Sequence, residues 1–170
     1  MSRMGLVERR VKIVSGGQTG VDRAALDAAV AHGLAYGGWC PQGGWAEDLP
    51  SPPGLLARYP GLRETPSRDP AERTHWNVRD SDRTLMLVDA RGPAASPGTV
   101  LTRGLADRYG RPHLVVDLDQ ADAADRIAAW LDGAGHGLAL NVAGPRESEA
   151  PGIYDKALDV LTGAFGRLPP

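Results

Sequence analysis

The sequence has almost no cysteine and no long apolar segment, which argues against a disulfide-stabilised protein and against a membrane-spanning one. Cys40 is the one cysteine among 170 residues, so a disulfide framework is excluded and a reducing compartment is expected. No apolar run approaches membrane-spanning length, and residues 1–10 are too short and too charged for a signal peptide. We therefore expect a cytoplasmic protein that does not enter a membrane.

The chain also lacks an excess of charge and the spacing of a metal site. Its formal net charge is −2 and its pI about 6.1, so it carries no electrostatic footprint for nucleic acid. His32, His75, His113 and His136 show no metal-like spacing, and no structural metal is expected. Cys40 has no neighbouring histidine or cysteine, and we interpret it as a buried strand residue rather than a nucleophile.

What the sequence does have is an alternation of short apolar runs with helix-like runs, which is typical of a parallel α/β sheet. Strands are predicted at 11–15, 35–40, 62–65, 83–89, 112–117 and 138–142, and helices at 21–32, 70–78, 98–109, 121–132 and 152–165. Residues 41–60 are interpreted as a surface loop with one helical turn. The length fits one domain, so residues 1–170 should form a three-layer Rossmann-like fold, mainly parallel sheet with helices on both faces.

The first candidate site is the loop of residues 15–23, Ser-Gly-Gly-Gln-Thr-Gly-Val-Asp-Arg, between the first strand and the first helix. Glycines let the backbone approach an anion, and a helix N-terminus attracts one with unpaired N–H groups. The loop has neither the Lys-Ser/Thr pair of a Walker A motif nor the dinucleotide fingerprint spacing. Thr19 and Asp22 also fit a capping box that needs no ligand. We favour phosphate binding, with Arg23 as a charge partner or a solvated surface residue.

A second loop, residues 96–102, follows the clearest buried strand and opens another helix. Ser96 and Thr99 offer hydroxyl groups and Gly98 allows close approach, although Ser96 also fits a plain helix cap. Asp89 ends the strand before this loop and should face the same edge of the sheet. Carboxyl ends of parallel strands meet at a switch point, so this loop should lie beside the first one.

A third loop, residues 141–152, also lies after a strand and before a helix. Arg146 could clamp a phosphate, and Glu147 could accept a hydroxyl or act as a base. The alternative is a solvated loop that starts the last helix. Together the three loops predict a binding site for a phosphate-bearing ligand, built from Gly16, Gly17, Gln18, Thr19, Gly20, Asp22, Arg23, Asp89, Ser96, Gly98, Thr99, Asn141, Gly144, Arg146 and Glu147.

The irregular segment 41–60 has no role that the sequence assigns. Trp39, Trp45 and Trp76 could stack on a ligand ring, and two of them flank this segment. A lid or a contact between subunits would explain these tryptophans equally well.

Four segments, residues 14–27, 74–82, 96–99 and 141–148, resemble those of the molybdenum carrier family. That family belongs to the LOG-like (lysine-decarboxylase-like, SLOG) group of Rossmann-type proteins, and the resemblance runs from about residue 11 to 165. It implies a nucleotide-like ligand or the molybdenum cofactor (molybdopterin), whose phosphate tail suits a phosphate-binding loop. It also implies a homodimer or higher homo-oligomer.

The enzymatic relatives are phosphoribohydrolases, whose second loop resembles Pro-Gly-Gly-x-Gly-Thr followed by two acidic residues. Residues 96–102 lack the acidic pair, and glycoside cleavage needs carboxylates beside the scissile bond. Asp22, Asp89 or Glu147 could substitute. The resemblance therefore favours a carrier of a phosphorylated pterin or nucleotide. A nucleoside 5′-monophosphate phosphoribohydrolase and a nucleotide-sensing module acting through a partner are the alternatives.

Overall fold

The computed structural model describes residues 11–132, 134 and 137–168, so the predictions for residues 1–10 and for His136 lie outside the described residues. Its elements, in chain order, are β1 (Lys12–Val14), α1 (Val21–Ala31), β2 (Tyr36–Gly37), β3 (Trp39–Cys40), α2 (Leu55–Arg58), β4 (Arg63–Glu64), α3 (Pro70–Arg79), β5 (Arg83–Val88), α4 (Pro97–Arg108), β6 (His113–Asp117), α5 (Ala123–Asp132), β7 (Ala139–Ala143) and α6 (Ile153–Phe165). Within the described part, no helix is both long and apolar enough to cross a membrane.

Five parallel strands form the main sheet in the order β2-β1-β7-β5-β6. Helices α1, α5 and α6 pack together on one face, and α3 packs on α4 on the other. The predicted three-layer Rossmann-like fold is therefore confirmed. The last strand of the chain, β7, lies in the middle of the sheet, between β1 and β5.

The local sequence explains why these layers form. Strand β5 is buried along nearly its whole length, as its continuous apolar run predicts for a parallel strand covered on both faces. Helix α1 carries four fully buried alanines, which let its backbone lie close to the sheet and to α6. Side-chain caps fix the starts of α3 and α4. At α3, Asp69 accepts a hydrogen bond from the amide of Ala71, and at α4, Ser96 accepts one from the amide of Thr99.

The prediction of a single strand at 35–40 is wrong, because the chain turns at Gly38. This residue has φ 130°, and a Cβ there would lie 2.4 Å from the carbonyl oxygen of Ser15. The first half, β2, joins the main sheet, whereas β3 pairs with β4 in a separate two-stranded parallel sheet. Asn77 fixes the turn by bonding both backbone groups of Trp39, at 2.7 and 2.9 Å.

Cys40 is fully buried in β3, as the sequence indicated. Burial raises the pKa of its thiol to about 11, so the thiolate that a nucleophile needs is scarce at neutral pH. The residue is therefore part of the packing beneath the 41–60 segment.

Candidate functional site

Residues from all three predicted loops come together at the carboxyl edge of the sheet. They surround a cavity of about 290 Å³, called the edge cavity below, which lies between the starts of α3 and α4. Its lining includes Gln18, Asp22, Arg73, Thr74, Ser96, Gly98, Thr102, Gly144, Arg146 and Glu149. The convergence follows from the strand order, because the loops after neighbouring parallel strands leave the same edge of the sheet.

A buried ion pair borders the edge cavity. Arg73 Nη1 donates to Asp22 Oδ2 at 2.9 Å, and both side chains are nearly excluded from solvent. Burial raises the pKa of Asp22, and the neighbouring Arg73 acts in the opposite direction. Gly16 makes room for the pair, since a Cβ at this position would lie 2.0 Å from Arg73 Nη1.

Several polar atoms around the edge cavity have no hydrogen-bond partner within the described part of the chain. They are Gln18 Nε2, Arg73 Nε and Thr99 Oγ1. Gln18 and Arg73 line the cavity itself. A buried donor left unpaired costs free energy unless a water or a ligand supplies an acceptor, so these two N–H groups make the edge cavity a candidate site for an oxygen acceptor.

The amides of the first loop, in contrast, are already engaged inside the protein. Each of four backbone N–H groups donates to an acceptor within the protein, and these are the groups of Gly17, Gln18, Thr19 and Val21. Val21, the first residue of α1, donates to the carbonyl of Pro145 at 3.2 Å, so the third loop covers this helix start. Gly20 permits the contact, because a Cβ there would lie 2.4 Å from the same oxygen. The third loop thus covers one side of the start of α1, while Thr19, Gly20 and Arg23 line a separate cavity of about 510 Å³ together with Glu147.

Gly17 and Arg23 contact the 41–60 segment and do not line the edge cavity. A Cβ on Gly17 would lie 2.8 Å from a methyl carbon of Leu55. Arg23 is buried and donates two hydrogen bonds to Asp48, both 2.8 Å long. These two predicted ligand residues therefore hold the irregular segment against the first loop.

The start of α4 opens onto the edge cavity, as the start of α3 does. Gly98 is exposed in the first turn of α4, and the nearest atom to a Cβ there would be Ser96 Oγ at 3.9 Å. Ser96 Oγ also donates to Glu149 Oε1 at 3.3 Å, which ties this turn to the third loop. Gly98 leaves the positive end of the helix dipole accessible to an anion.

In the third loop, Glu147 caps a helix. Its carboxylate accepts from the amides of Gly152 at 2.6 Å and Tyr154 at 2.9 Å, at the start of α6. Arg146 lines the edge cavity, and its side chain is 35% exposed, so the guanidinium can reach a ligand at the rim. Its amide donates to Glu149 Oε1 at 3.0 Å, which fixes the backbone of the loop.

Asp89 and Asn141 are two further predicted residues that do not line the edge cavity. Asp89 pairs with Arg91 two residues along the chain, at 2.8 Å. Asn141 in β7 lies behind the cavity, where its side-chain amide donates to Thr84 Oγ1 at 3.4 Å.

Arg73 and Glu149 were not predicted from the sequence as site residues. One signal for Arg73 was present, because the Asp69-Pro70 cap fixed the start of α3. A helix that leads into a parallel strand begins near the carboxyl edge of the sheet, so first-turn residues such as Arg73 lie near the loops. Glu149 had no such signal, since its contacts depend on how the third loop folds.

The 41–60 segment is clamped onto the first and third loops by Glu47. Its carboxylate accepts from the hydroxyl of Thr19 and, at 2.7 Å, from that of Ser148, and its amide donates to Gln18 Oε1 at 3.0 Å. Burial alone would raise the pKa of Glu47, but these hydrogen bonds and nearby Arg146 lower it below the ordinary value.

Replacing Glu47 by glutamine should therefore flatten the loss of stability in acid. Because the folded pKa is lowered, ionised Glu47 stabilises the fold above about pH 4.5, and this contribution is lost as pH falls through the folded pKa. We expect the variant to be less stable by about 1 kcal/mol at pH 7, with the difference shrinking in acid. Urea midpoints measured from pH 3 to 7 test this.

The control for this experiment is Asp159→Asn, at an exposed position on α6. It should leave the pH profile of the wild type unchanged. A constant gap between wild type and Glu47→Gln across the pH range would contradict the clamp.

The strand order also bears on ancestry. A doubly wound sheet has its first strand in the middle, in the order 3-2-1-4-5. In this chain the middle strand is β7, and moving β7 and α6 to the front of the chain reproduces that order.

Among the described residues there is also no cluster of three or more His, Cys, Asp or Glu that could hold a metal ion.

Comparisons with known proteins agree with this topology. The family described as "Circularly permutated YpsA SLOG family" matches residues 13–165. A crystal structure of a "Putative molybdenum carrier protein" from Syntrophus aciditrophicus SB is 38% identical, with a TM-score of 0.78, and the match covers 92% of this chain and 96% of that one. A search of curated proteins gave no match. The chain belongs to the circularly permuted YpsA SLOG family, as the sequence resemblance to the SLOG group indicated.

Proposed function

We propose that this protein binds and carries a phosphate-bearing small molecule. The first candidate ligand is the molybdenum cofactor, a phosphorylated pterin, and related pterins or nucleotides are the others. The name of the Syntrophus protein supports the ligand class. The observation that carries the proposal is the pair of unpartnered donors at the edge cavity, Gln18 Nε2 and Arg73 Nε, beside the open start of α4.

The edge cavity is lined by two cations, Arg73 and Arg146, and by two carboxylates, Asp22 and Glu149, so its lining has no net formal charge. Asp22 is already paired with Arg73, so its charge is compensated. Arg146 adds a further cation at the rim. A phosphate group would accept from Gln18, from Arg73 and from the first turn of α4 at Gly98, and these donors match its oxygens.

Hydrolysis of a nucleoside monophosphate is the second candidate, because two carboxyl groups line the same cavity. Asp22 has a raised pKa, which suits a proton donor, and Glu149 lines the same cavity. Both groups are engaged, however, Asp22 by Arg73 and Glu149 by Ser96 and the amide of Arg146. This engagement favours binding without turnover.

Native mass spectrometry of freshly purified protein, with analysis of the released small molecules, tests the ligand class. A bound phosphorylated pterin that is not consumed supports the carrier, and the mass should also show two or more copies of the chain. Release of free base from a panel of nucleoside monophosphates would instead establish the hydrolase. A change of copy number on adding nucleotide, without turnover, would indicate a sensor.

The variant Gly98→Asp tests the position of the phosphate. The backbone accepts a side chain there, and a carboxylate in the first turn of α4 should stabilise the fold by about 0.3–1 kcal/mol. The same charge would repel a bound anion, so calorimetric titration should show affinity for phosphorylated ligands falling roughly tenfold or more.

Gly98→Asn is the matched control, because it has the same shape without the charge. It should keep affinity within a few-fold of the wild type. Equal binding by wild type and Gly98→Asp would place the phosphate elsewhere and overturn the proposed site.

A further inference from the structure

A second and larger cavity adjoins the edge cavity. It has a volume of about 820 Å³, is called the tryptophan cavity below, and is lined by Gln42, Trp45, Pro50, Pro52, Glu64 and Arg68 together with Pro70. Pro70 lines the edge cavity as well. Arg146 of the edge cavity lies 5.9 Å from the centre of the Trp45 ring. The two cavities therefore share Pro70 in their linings, and Arg146 of the edge cavity lies close to Trp45 of the tryptophan cavity.

The edge cavity is small for a cofactor. Sites for such ligands usually have volumes of about 300–1,000 Å³ and bury most of the ligand surface. At about 290 Å³, the edge cavity can hold a phosphate group and the atoms attached to it, so a larger ligand must extend beyond it. The tryptophan cavity offers such space on the side of Pro70.

The lining of the tryptophan cavity suits a flat heterocycle. Trp45 is half-buried and, with Pro50 and Pro52, supplies apolar surface against which a ring can pack. Gln42 and Arg68 bring polar groups to the same space, and such groups can bond the edge of a purine or a pterin. An apolar wall with a few polar groups is the usual composition of a ring-binding site.

The wall that carries Trp45 is held rigidly to the edge cavity. Glu47 and Asp48, two and three residues further along, bond Thr19 and Arg23 of the first loop. On the other side, Gly43 donates to Glu64 at 2.7 Å. The wall is thus fixed in place by the same loops that surround the edge cavity, and a ligand meets it already formed.

We infer that the ligand is an elongated phosphorylated heterocycle whose anionic group lies in the edge cavity and whose ring packs on Trp45 in the tryptophan cavity. Trp45 then holds the ring, while Gln18, Arg73 and the start of α4 bind the phosphate. The inference rests on the proposed function, since it assumes that the edge cavity holds the phosphate.

Calorimetric titration of Trp45→Ala with two kinds of probe tests it. The probes are inorganic phosphate and a panel of phosphorylated heterocycles, namely the nucleoside 5′-monophosphates and a phosphorylated hydroxymethylpterin. The variant should lose roughly tenfold or more in affinity for the heterocycle that binds the wild type most tightly, because the stacking surface is removed. Its affinity for inorganic phosphate should not change.

Trp45→Phe is the conservative control and should keep affinity for the heterocycle within a few-fold, since it retains an aromatic face. If Trp45→Ala does not fold, Trp45→Leu replaces it, because leucine fills the space without offering a flat ring. Thermal melting of each variant establishes that it is folded.

The outcomes separate this inference from the proposed function. If Trp45→Ala binds the heterocycle as tightly as the wild type does, the proposed role of Trp45 is overturned. It is also overturned if the variant loses affinity for the heterocycle and for inorganic phosphate by the same factor. Failure of every heterocycle to bind more tightly than inorganic phosphate overturns it too. If Gly98→Asp weakens phosphate binding in those cases, the proposed function stands; if Gly98→Asp affects no probe, the proposed function fails instead.

Discussion

Replacing Arg73 by methionine should destabilise the fold by about 3–5 kcal/mol at neutral pH, because a buried carboxylate would lose its cation. Arg73 and Asp22 are 2.9 Å apart, with 11% and 7% of their side chains exposed. The remaining partner of Asp22 Oδ2 is the amide of Gln18 at 3.3 Å, which cannot neutralise a charge. Urea unfolding at pH 7 measures the loss.

The loss of stability in Arg73→Met should depend on pH. Without Arg73, the pKa of Asp22 would rise further, since only the amide of Gln18 and the more distant Arg23 would still oppose the effect of burial. A raised carboxyl pKa favours folding below the unfolded value of about 3.8 and costs stability as pH rises above it. The variant should therefore approach the wild type in acid and diverge from it at neutral pH.

Two further variants serve as controls for Arg73→Met. Adding Asp22→Asn removes the unpaired charge and should recover most of the lost stability. Arg79→Met lies on the same helix and breaks an exposed ion pair with Asp80, which should cost less than about 1 kcal/mol. A cost for Arg73→Met no larger than that for Arg79→Met would show that the buried pair does not hold α3 against the first loop.

Replacing Gly144 by alanine should destabilise the fold by at least about 3 kcal/mol, the upper end of the usual cost of overpacking. The added Cβ would lie 2.3 Å from the carbonyl oxygen of Leu87 in β5 and 2.6 Å from a methyl carbon of Val21 in α1. Neither atom can retreat, because one belongs to the central sheet and the other is fully buried. Ligand binding at the edge cavity should be lost with the fold.

Gly104→Ala is the matched control for Gly144→Ala. It makes the same chemical change within α4, where an added Cβ would meet nothing within 4 Å. There the substitution should stabilise the protein by about 0.5–1 kcal/mol, since alanine loses less backbone entropy in a helix. Thermal melting compares the two, and equal effects would mean that the clash at Gly144 is relieved by a shift of the backbone.

Much of the fold could be predicted because its signals are local. The predicted strand at 83–89 and helix at 98–109 match β5 and α4 to within a residue, since one is a continuous apolar run and the other begins with Ser96-Pro97. The strand predicted at 62–65 was found as β4, but in the small second sheet. That placement depends on the turn at Gly38, which packs on a residue more than twenty positions away.

The candidate site was harder to predict, because hydrogen bonds between distant residues decide which groups remain free. Glycine-rich spacing in the first loop predicted an anion site at the start of α1, but Pro145 covers one side of that helix start. Glu147 was interpreted as a possible base, whereas its carboxylate caps α6. Arg73 reaches Asp22 from 51 positions along the chain, and no local pattern reveals such a partner.

The central position of β7 bears on how the protein is made. During synthesis, β1 and β5 emerge first, yet both pair with β7, which is the last strand of the chain. Until residues 139–143 leave the ribosome, the half-sheet of β1 and β2 has no bridge to that of β5 and β6. The backbone groups along two sheet edges then stay unpaired in the nascent chain. Unpaired edges favour aggregation or chaperone binding. The main sheet therefore cannot close until β7 has been synthesised.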